Sequence, residues 1–186
     1  MEKVHERITA EFHQWIKEQK VFFVASAPLS AEGHVNLSPK GHDCLRVIDE
    51  QTVAYLDMTG SGNETSAHIA ENGRITLMWC AFEGAPRIFR LYGRGEVILP
   101  DTERWNELSP LFDMLPGARQ IVVNHVERVQ TSCGFAVPFM DYQAERQTLK
   151  KYTEAKGVEG MIDYRREKNL KSIDGLPTPI ASTYED

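Results

Sequence analysis

The sequence predicts a mainly β fold with peripheral helices, an α+β chain built as a small, mostly antiparallel barrel. Three observations carry this expectation. The chain is divided into short runs rich in β-branched and aromatic residues. Most neighbouring runs are separated by hairpin-type turns. Only one strand–loop–helix unit of crossover type occurs, which argues against a doubly wound parallel sheet.

Residues 2–19 read as a helix, because Val4, Ile8, Phe12, Trp15 and Ile16 recur at helical spacing between charges. Val21–Ala25 is nearly all apolar and reads as a buried strand. The Pro- and Gly-containing stretch Ala27–Gly33 is a turn, and His34–Leu37 is its return strand. Leu45–Ile48 and Thr52–Asp57 flank Asp49-Glu50-Gln51 as a second hairpin. Thr59–Asn63 is a small-residue loop, followed by a short helix over Glu64–Glu71 that Asn72-Gly73 stops. Ile75–Phe82 and Arg87–Leu99 are long strands, the second carrying Gly93 and Gly95 where a bulge or barrel bend is expected. Thr102–Leu115 reads as helical, Val126–Gln130 at least as a strand, and Tyr142–Lys156 as a polar helix. Asn169–Asp186 reads as an irregular, Pro-rich tail. The 186 residues are expected to form one domain, 1–186, with a barrel core over 20–135 and a helix and tail over 136–186.

Composition excludes several function classes. A net charge of −6 gives no electrostatic reason to expect nucleic acid or an anionic membrane as partner. No apolar stretch approaches the ~18 residues of a membrane span, and the charged N-terminus lacks a signal-peptide core. Cys44, Cys80 and Cys133 form no C-x-x-C pair, so neither a disulfide framework nor a zinc site is expected, and a cytoplasmic location fits. The six histidines show no metal-ligand spacing.

Four segments are candidates for chemistry. In Val35–Gly41, Asn36 and Ser38 share a strand face by period two, and Lys40 follows on that face unless Pro39 turns it away. Pro39 cannot donate to a ladder, so the chain is expected to leave the sheet there. Asn and Ser suit a planar heterocycle and Lys a phosphate, although an ordinary polar loop reads the same way. Gly60–Ser66 places small residues before a helix N-terminus, where Asn63, Thr65 and Ser66 suit an anion. Simple capping, or a partial dinucleotide-binding fingerprint, is equally compatible. Arg87 and Arg90 interrupt an apolar strand, and either reaches a phosphate or remains a surface charge. Arg128–Pro138 and Asn169–Pro177 are dense in Ser, Gly and Pro and suit pocket walls. Cys133 has no nearby activating base.

The order of these pieces resembles the pyridoxamine-phosphate oxidase-like, flavin-binding split-barrel family. The strand VFFVASA leads through a turn to VNLSPKG. The strand TVAYLDMTGSGNET then runs into the helix ending AENGRITLMW, and RIFRLYGRGEVI follows. The resemblance spans roughly residues 8–135. It implies a six-stranded split barrel that dimerises with two FMN sites at the interface, and an FMN-dependent oxidoreductase. It implies that Asn36, Leu37, Ser38 and Pro39 face the flavin ring and ribityl chain, with Lys40 approaching it. Asn63, Glu64, Thr65 and Ser66 would form the phosphate loop, with Gly62 beside them as a further cofactor contact and Asp57, Met58 and Thr59 at the strand end leading into it. Phosphate charge would be balanced by Lys40, by an arginine such as Arg90, or by backbone donors, and Ser132 and Cys133 lie in the segment that suits a pocket wall. True pyridoxamine-phosphate oxidases carry an Arg-Lys pair where this chain has Glu64-Thr65. Their later-strand glutamine falls near Ile88, and their C-terminal Trp and Arg motif has no counterpart here. Pyridoxamine phosphate is therefore not the expected substrate. A nicotinamide electron donor, a flavin-binding module without turnover, and the same barrel holding a deazaflavin or a haem (with His68 or His125 as ligand) remain open.

Overall fold

The computed structural model describes residues 2–184. Its strands are β1 (Lys3–His5), β2 (Phe22–Ser26), β3 (Asn36–Lys40), β4 (Leu45–Asp49), β5 (Thr52–Met58), β6 (Arg74–Cys80), β7 (Arg87–Ile98) and β8 (Ala118–Cys133). Four helices accompany them: α1 (Ala10–Glu18), α2 (Glu64–Asn72), α3 (Glu103–Leu108) and α4 (Thr148–Lys168). Every strand pair is antiparallel. The dinucleotide-binding alternative, which needs parallel strands, is thereby set aside.

The sheet runs β3-β2-β6-β7-β8-β5-β4, with β1 added on β8. The count is eight strands rather than the expected six, and β3 and β4 are not hydrogen-bonded to each other. Yet they are consecutive in the chain, joined only through residues 41–44. The two ends of the sheet are therefore held close together, and the barrel is split between them. Side chains alternate along the strands as period two demands. On β6, Ile75, Leu77 and Trp79 point inward, and Trp79 packs against Phe22 and Phe89 with ring centroids 5.6 and 5.8 Å apart. Helix α1 plugs this core through Phe12, 4.9 Å from Phe89.

Several boundaries differ from expectation for identifiable reasons. Residues 2–19 are not one helix. Val4 pairs with Gln130 in β1, and α1 begins only after Thr9, whose hydroxyl accepts from Phe12 N at 3.3 Å. The chain does not leave the sheet at Pro39. That residue pairs with Phe23 inside β3, an edge strand whose outer side needs no N–H donor. Helix α3 is short and gives way to a 3-10 turn at Ser109–Leu111 containing Pro110. Strand β8 starts at Ala118, well before Val126. Helix α4 starts at Thr148 rather than Tyr142 and is kinked at Gly157, where φ is 68°. The tail carries a further 3-10 turn at Pro179–Thr183.

The expected bulge sits between Tyr92 and Gly93, where β7 crosses β8. A Cβ on Gly93 would collide with the His125 carbonyl and the Asn124 side chain. The carbonyl is fixed by the ladder, so Gly93→Ala is expected to lower stability by about 1–3 kcal/mol. Urea unfolding monitored by tryptophan fluorescence checks this, and an unchanged midpoint would refute it. Among the described residues, no helix is long and apolar enough to cross a membrane.

Candidate functional site

Asp57 organises the site. It lies near the end of β5, after the buried run Val53–Leu56, and is itself 3% exposed. Its register partner on β8 is Gln120, and Arg119 is the next residue. Lys40 Nζ donates to Asp57 Oδ1 at 2.7 Å. Arg119 Nε and Gln120 Nε2 both donate to Oδ2 at 2.8 Å. Burial alone would raise the Asp57 carboxyl, but Arg119 and Lys40 hold it well below the ordinary carboxylate range.

Two of the segments singled out in the sequence meet directly. Asn36, Ser38 and Lys40 share one face of β3, while Leu37 and Pro39 point the other way. Asn36 Nδ2 donates to Thr65 Oγ1 in the first turn of α2 at 2.9 Å, and Ser38 Oγ donates to Asn36 Oδ1 at 3.0 Å. Behind this contact Gln120 Nε2 also donates to Asn63 Oδ1 at 3.0 Å, and Ser66 Oγ donates to Gln120 Oε1 at 3.3 Å. A continuous bonded path therefore runs from Lys40 through Asp57 and Gln120 to Asn63. Asn63 and Ser66 are buried in it, and Glu64 turns onto the tail, where Oε2 accepts from Ile173 N at 3.0 Å.

The C-terminal region completes the arrangement. Arg119 Nη1 donates to Gly62 O and to Asn169 Oδ1, both at 2.9 Å. Asn169 Nδ2 donates to Gly60 O at 3.0 Å. Arg165 Nε donates to Thr59 Oγ1 at 2.9 Å, and that hydroxyl donates to Gly117 O at 2.8 Å. His34 and Asp174 close the tail over the same end of the molecule, Nδ1 lying 2.6 Å from Oδ1. Sequence reasoning missed Arg119, Gln120 and Arg165 as site residues; Asn169 opens the segment it read as a pocket wall. The one available signal was an adjacent Arg-Gln pair opening the apolar run Ile121–Val123.

A cavity of about 1090 Å³ opens beside Lys40. Pro39, Lys40, Met58 and Thr59 line it from the barrel, together with Leu56 and Cys44. The segment 140–149 and the β6–β7 loop face them across the space, and Trp15 lies at its side. Burial pushes the Cys44 thiol up to about 12, so it stays protonated at neutral pH.

Other candidates lie elsewhere within the chain. Arg90 Nη1 donates to Ser132 Oγ at 3.3 Å on the outer face of β7 and β8, and Cys133 is exposed at the end of β8. None of the three lines the cavity with Lys40, and neither do Asn36, Leu37, Ser38, Asp57 or the loop residues 62–66. Period two explains the place of Arg90: Phe89 and Leu91 point into the core, so Arg90 points out. His68 is fully buried with Nδ1 2.9 Å from Ser26 Oγ, and His125 pairs with Glu96 at 3.0 Å. Neither lines the cavity.

Residues 8–133 match the family model described as pyridoxamine 5'-phosphate oxidase. The chain belongs to that family. Within the pyridoxamine 5'-phosphate oxidase family it is similar to the family protein ustO of Aspergillus flavus, at 36% identity over 190 residues, covering 93% of this chain and 76% of ustO. Its fold is similar to that of HupZ from Group A Streptococcus. A histidine-to-alanine variant of HupZ superposes with a TM-score of 0.53 at 23% identity, over 67% of this chain and 99% of that one. Unsubstituted HupZ gives 0.51 at 24%, over 66% and 91%. The family match ends at residue 133, so Arg165, Asn169 and the segment 140–149 lie outside the region that the family model matches.

Proposed function

We propose that this protein is a homodimeric, single-domain FMN-dependent oxidoreductase, with the flavin held along β3 and the first turn of α2. The observation that carries this reading is the Asn36–Thr65 hydrogen bond, which places the polar row of β3 against the helix N-terminus. The residues present fit the group. An edge strand has backbone donors and acceptors not used by the sheet, which suit the ring's heteroatoms. The N-terminal turn of α2 favours the phosphate. Lys40, Arg119 and Arg165 cluster at this end around the single Asp57 carboxylate, and Arg165 has no carboxylate partner among the described residues. That positive excess replaces the Arg-Lys pair that the loop lacks. Glu64, the one carboxylate in the turn, is engaged by the tail.

Bound FMN supplies two-electron transfer chemistry that no side chain can perform. The protein's part is position and charge: Lys40, fixed by Asp57, places a cation beside the ring, and segment 140–149 limits water around the cavity. The outer face of the sheet supports a dimer. Phe23, Ala25, Met78, Ile88 and Tyr92 are only partly buried there, and Leu37 is 61% exposed.

Absorbance titration with FMN tests the reading. The protein is expected to bind FMN at micromolar concentration or tighter, and Lys40→Gln to weaken binding about 10-fold, or ~1.4 kcal/mol. Absence of FMN binding to the unaltered protein would defeat it. Anaerobic bleaching by NADH or NADPH separates an enzyme from a flavin-binding module without turnover.

A further inference from the structure

His68 is a buried titratable group that the flavin reading leaves unused. It sits on α2 three residues after Thr65, so the two side chains share one helix face. Its ring is fully buried, and Nε2 has no hydrogen-bond partner among the described residues. A buried polar atom left unpaired is destabilising, and a leucine would fill the space without that cost. Stability alone therefore does not account for an imidazole at this position.

The paired nitrogen points to another role. Nδ1 lies 2.9 Å from Ser26 Oγ on β2. Ser26 is the register partner of Asn36 on β3, and its Oγ accepts from Asn36 Nδ2 at 3.4 Å. The same Nδ2 donates to Thr65 Oγ1 at 2.9 Å, while Asn36 Oδ1 is taken by Ser38. His68, Ser26, Asn36 and Thr65 thus form a closed circuit that leaves α2, crosses β2 and β3, and returns to α2. Its directions follow from the donor inventory. Asn36 presents hydrogens to Ser26, so the Ser26 proton goes to His68 Nδ1, and the neutral ring carries its own proton on Nε2.

The charged groups facing this ring are Glu64 and Glu71 on its own helix, Asp174 in the tail and Arg74 on β6. Asp174 is itself engaged by His34. Burial pushes the imidazole below its ordinary value; the three carboxylates oppose this and Arg74 assists it. The ring is therefore neutral at neutral pH.

We infer that His68 is a positioning residue of the flavin site: through Ser26 it orients the Asn36 amide, and protonation of its ring weakens cofactor binding. The inference rests on the flavin reading above. An imidazolium carries a hydrogen on Nδ1 as well, so the Ser26 proton loses its acceptor there. The other side chain bonded to that oxygen, Asn36 through Nδ2, also presents hydrogens. Either the Ser26 proton stays unpaired or the Asn36 contact breaks. Both outcomes loosen the hold of β3 on the first turn of α2.

The test measures FMN affinity of the full chain by flavin fluorescence quenching. At about pH 8, His68→Leu is expected to weaken binding about 10-fold. His68→Asn, whose side-chain oxygen can accept where Nδ1 does, should recover it to within about threefold of the unaltered protein. Ser26→Ala should lose about as much as His68→Leu, and the double variant no more than either, because the histidine acts through the serine. Lowering the pH from about 8 to about 5 should weaken the unaltered protein at least about threefold more than His68→Asn. The FMN phosphate, which titrates near about pH 6, is common to both proteins and cancels in that ratio, as do the carboxylates and His34. A readout independent of the cofactor is the nitrogen NMR spectrum of the flavin-free chain, in which His68 should be protonated on Nε2 and bare at Nδ1. Losses that add between Ser26→Ala and His68→Leu overturn the inference, as does a neutral ring protonated on Nδ1. If His68→Leu fails to fold, Ser26→Ala, His68→Asn and the nitrogen spectrum still decide. An unaltered chain that binds no FMN defeats the flavin reading and the inference with it, whereas FMN bound equally well by all the variants defeats the inference alone.

Discussion

Asp57→Asn is expected to lower folding stability by about 3–5 kcal/mol, the cost of breaking a buried ion pair from one side. The acid is 3% exposed and is the carboxylate that neutralises both Lys40 and Arg119. Asparagine offers one acceptor oxygen where two were used, and no charge. Lys40, whose side chain is 20% exposed, can swing towards water, but Arg119 at 4% cannot. Most of the loss therefore comes from the guanidinium left without its partner. By the same reasoning Lys40→Gln should cost less, because Arg119 and Gln120 still satisfy the carboxylate.

The same group fixes a pH dependence. The folded-state Asp57 carboxyl titrates below its unfolded value of about 3.9, so the contribution of its ionised form is fully present above that value. It is lost as pH falls through the folded-state value. The stability gap between the unaltered protein and Asp57→Asn should be constant from about pH 5 to 8 and narrow below about pH 4. Urea unfolding across that range checks it, and a gap equally wide at about pH 2.5 would contradict the assignment.

How much of this was readable in the sequence depends on how far each signal travels along the chain. Hairpins β4–β5 and β6–β7 were legible because alternation and turn residues are local properties. Pro39 was misread because a proline says that one N–H is missing, not whether the strand is an edge, and only topology settles that. Val4 and Ile8 fall on the same helical stripe as Phe12. Their pattern could not reveal that Val4 pairs with Gln130, 126 residues away. The segments around Ser38 and Asn63 were singled out from their own chemistry, but that they meet was expected only from the family resemblance. Arg119 and Gln120 were not singled out, because a buried Arg-Gln pair looks like ordinary strand-edge polarity until Asp57 stands opposite.

Asn169→Ala is the prediction that joins the tail to the site. Asn169 is fully buried, and its amide bonds twice to the loop region, accepting from Arg119 and donating to Gly60 O. Alanine deletes a charge-assisted bond and leaves a carbonyl without its donor, for an expected loss of about 2–4 kcal/mol. The backbone carbonyl of residue 169 still accepts from Asn63 and Thr178, so the tail should loosen rather than detach. Faster tryptic cleavage after Lys168 or Lys171, with weaker FMN binding, is the expected signature. Cleavage and affinity both matching the unaltered protein would mean that the tail does not shape the loop. Asp57 and Asn169 also share one guanidinium, so their substitutions should not add. Once Asp57 is gone, Arg119 is already under-satisfied, and losing Asn169 costs a different amount than it does alone. A double-mutant cycle should therefore show a coupling of about 0.5 kcal/mol or more between residues 112 positions apart, carried through Arg119.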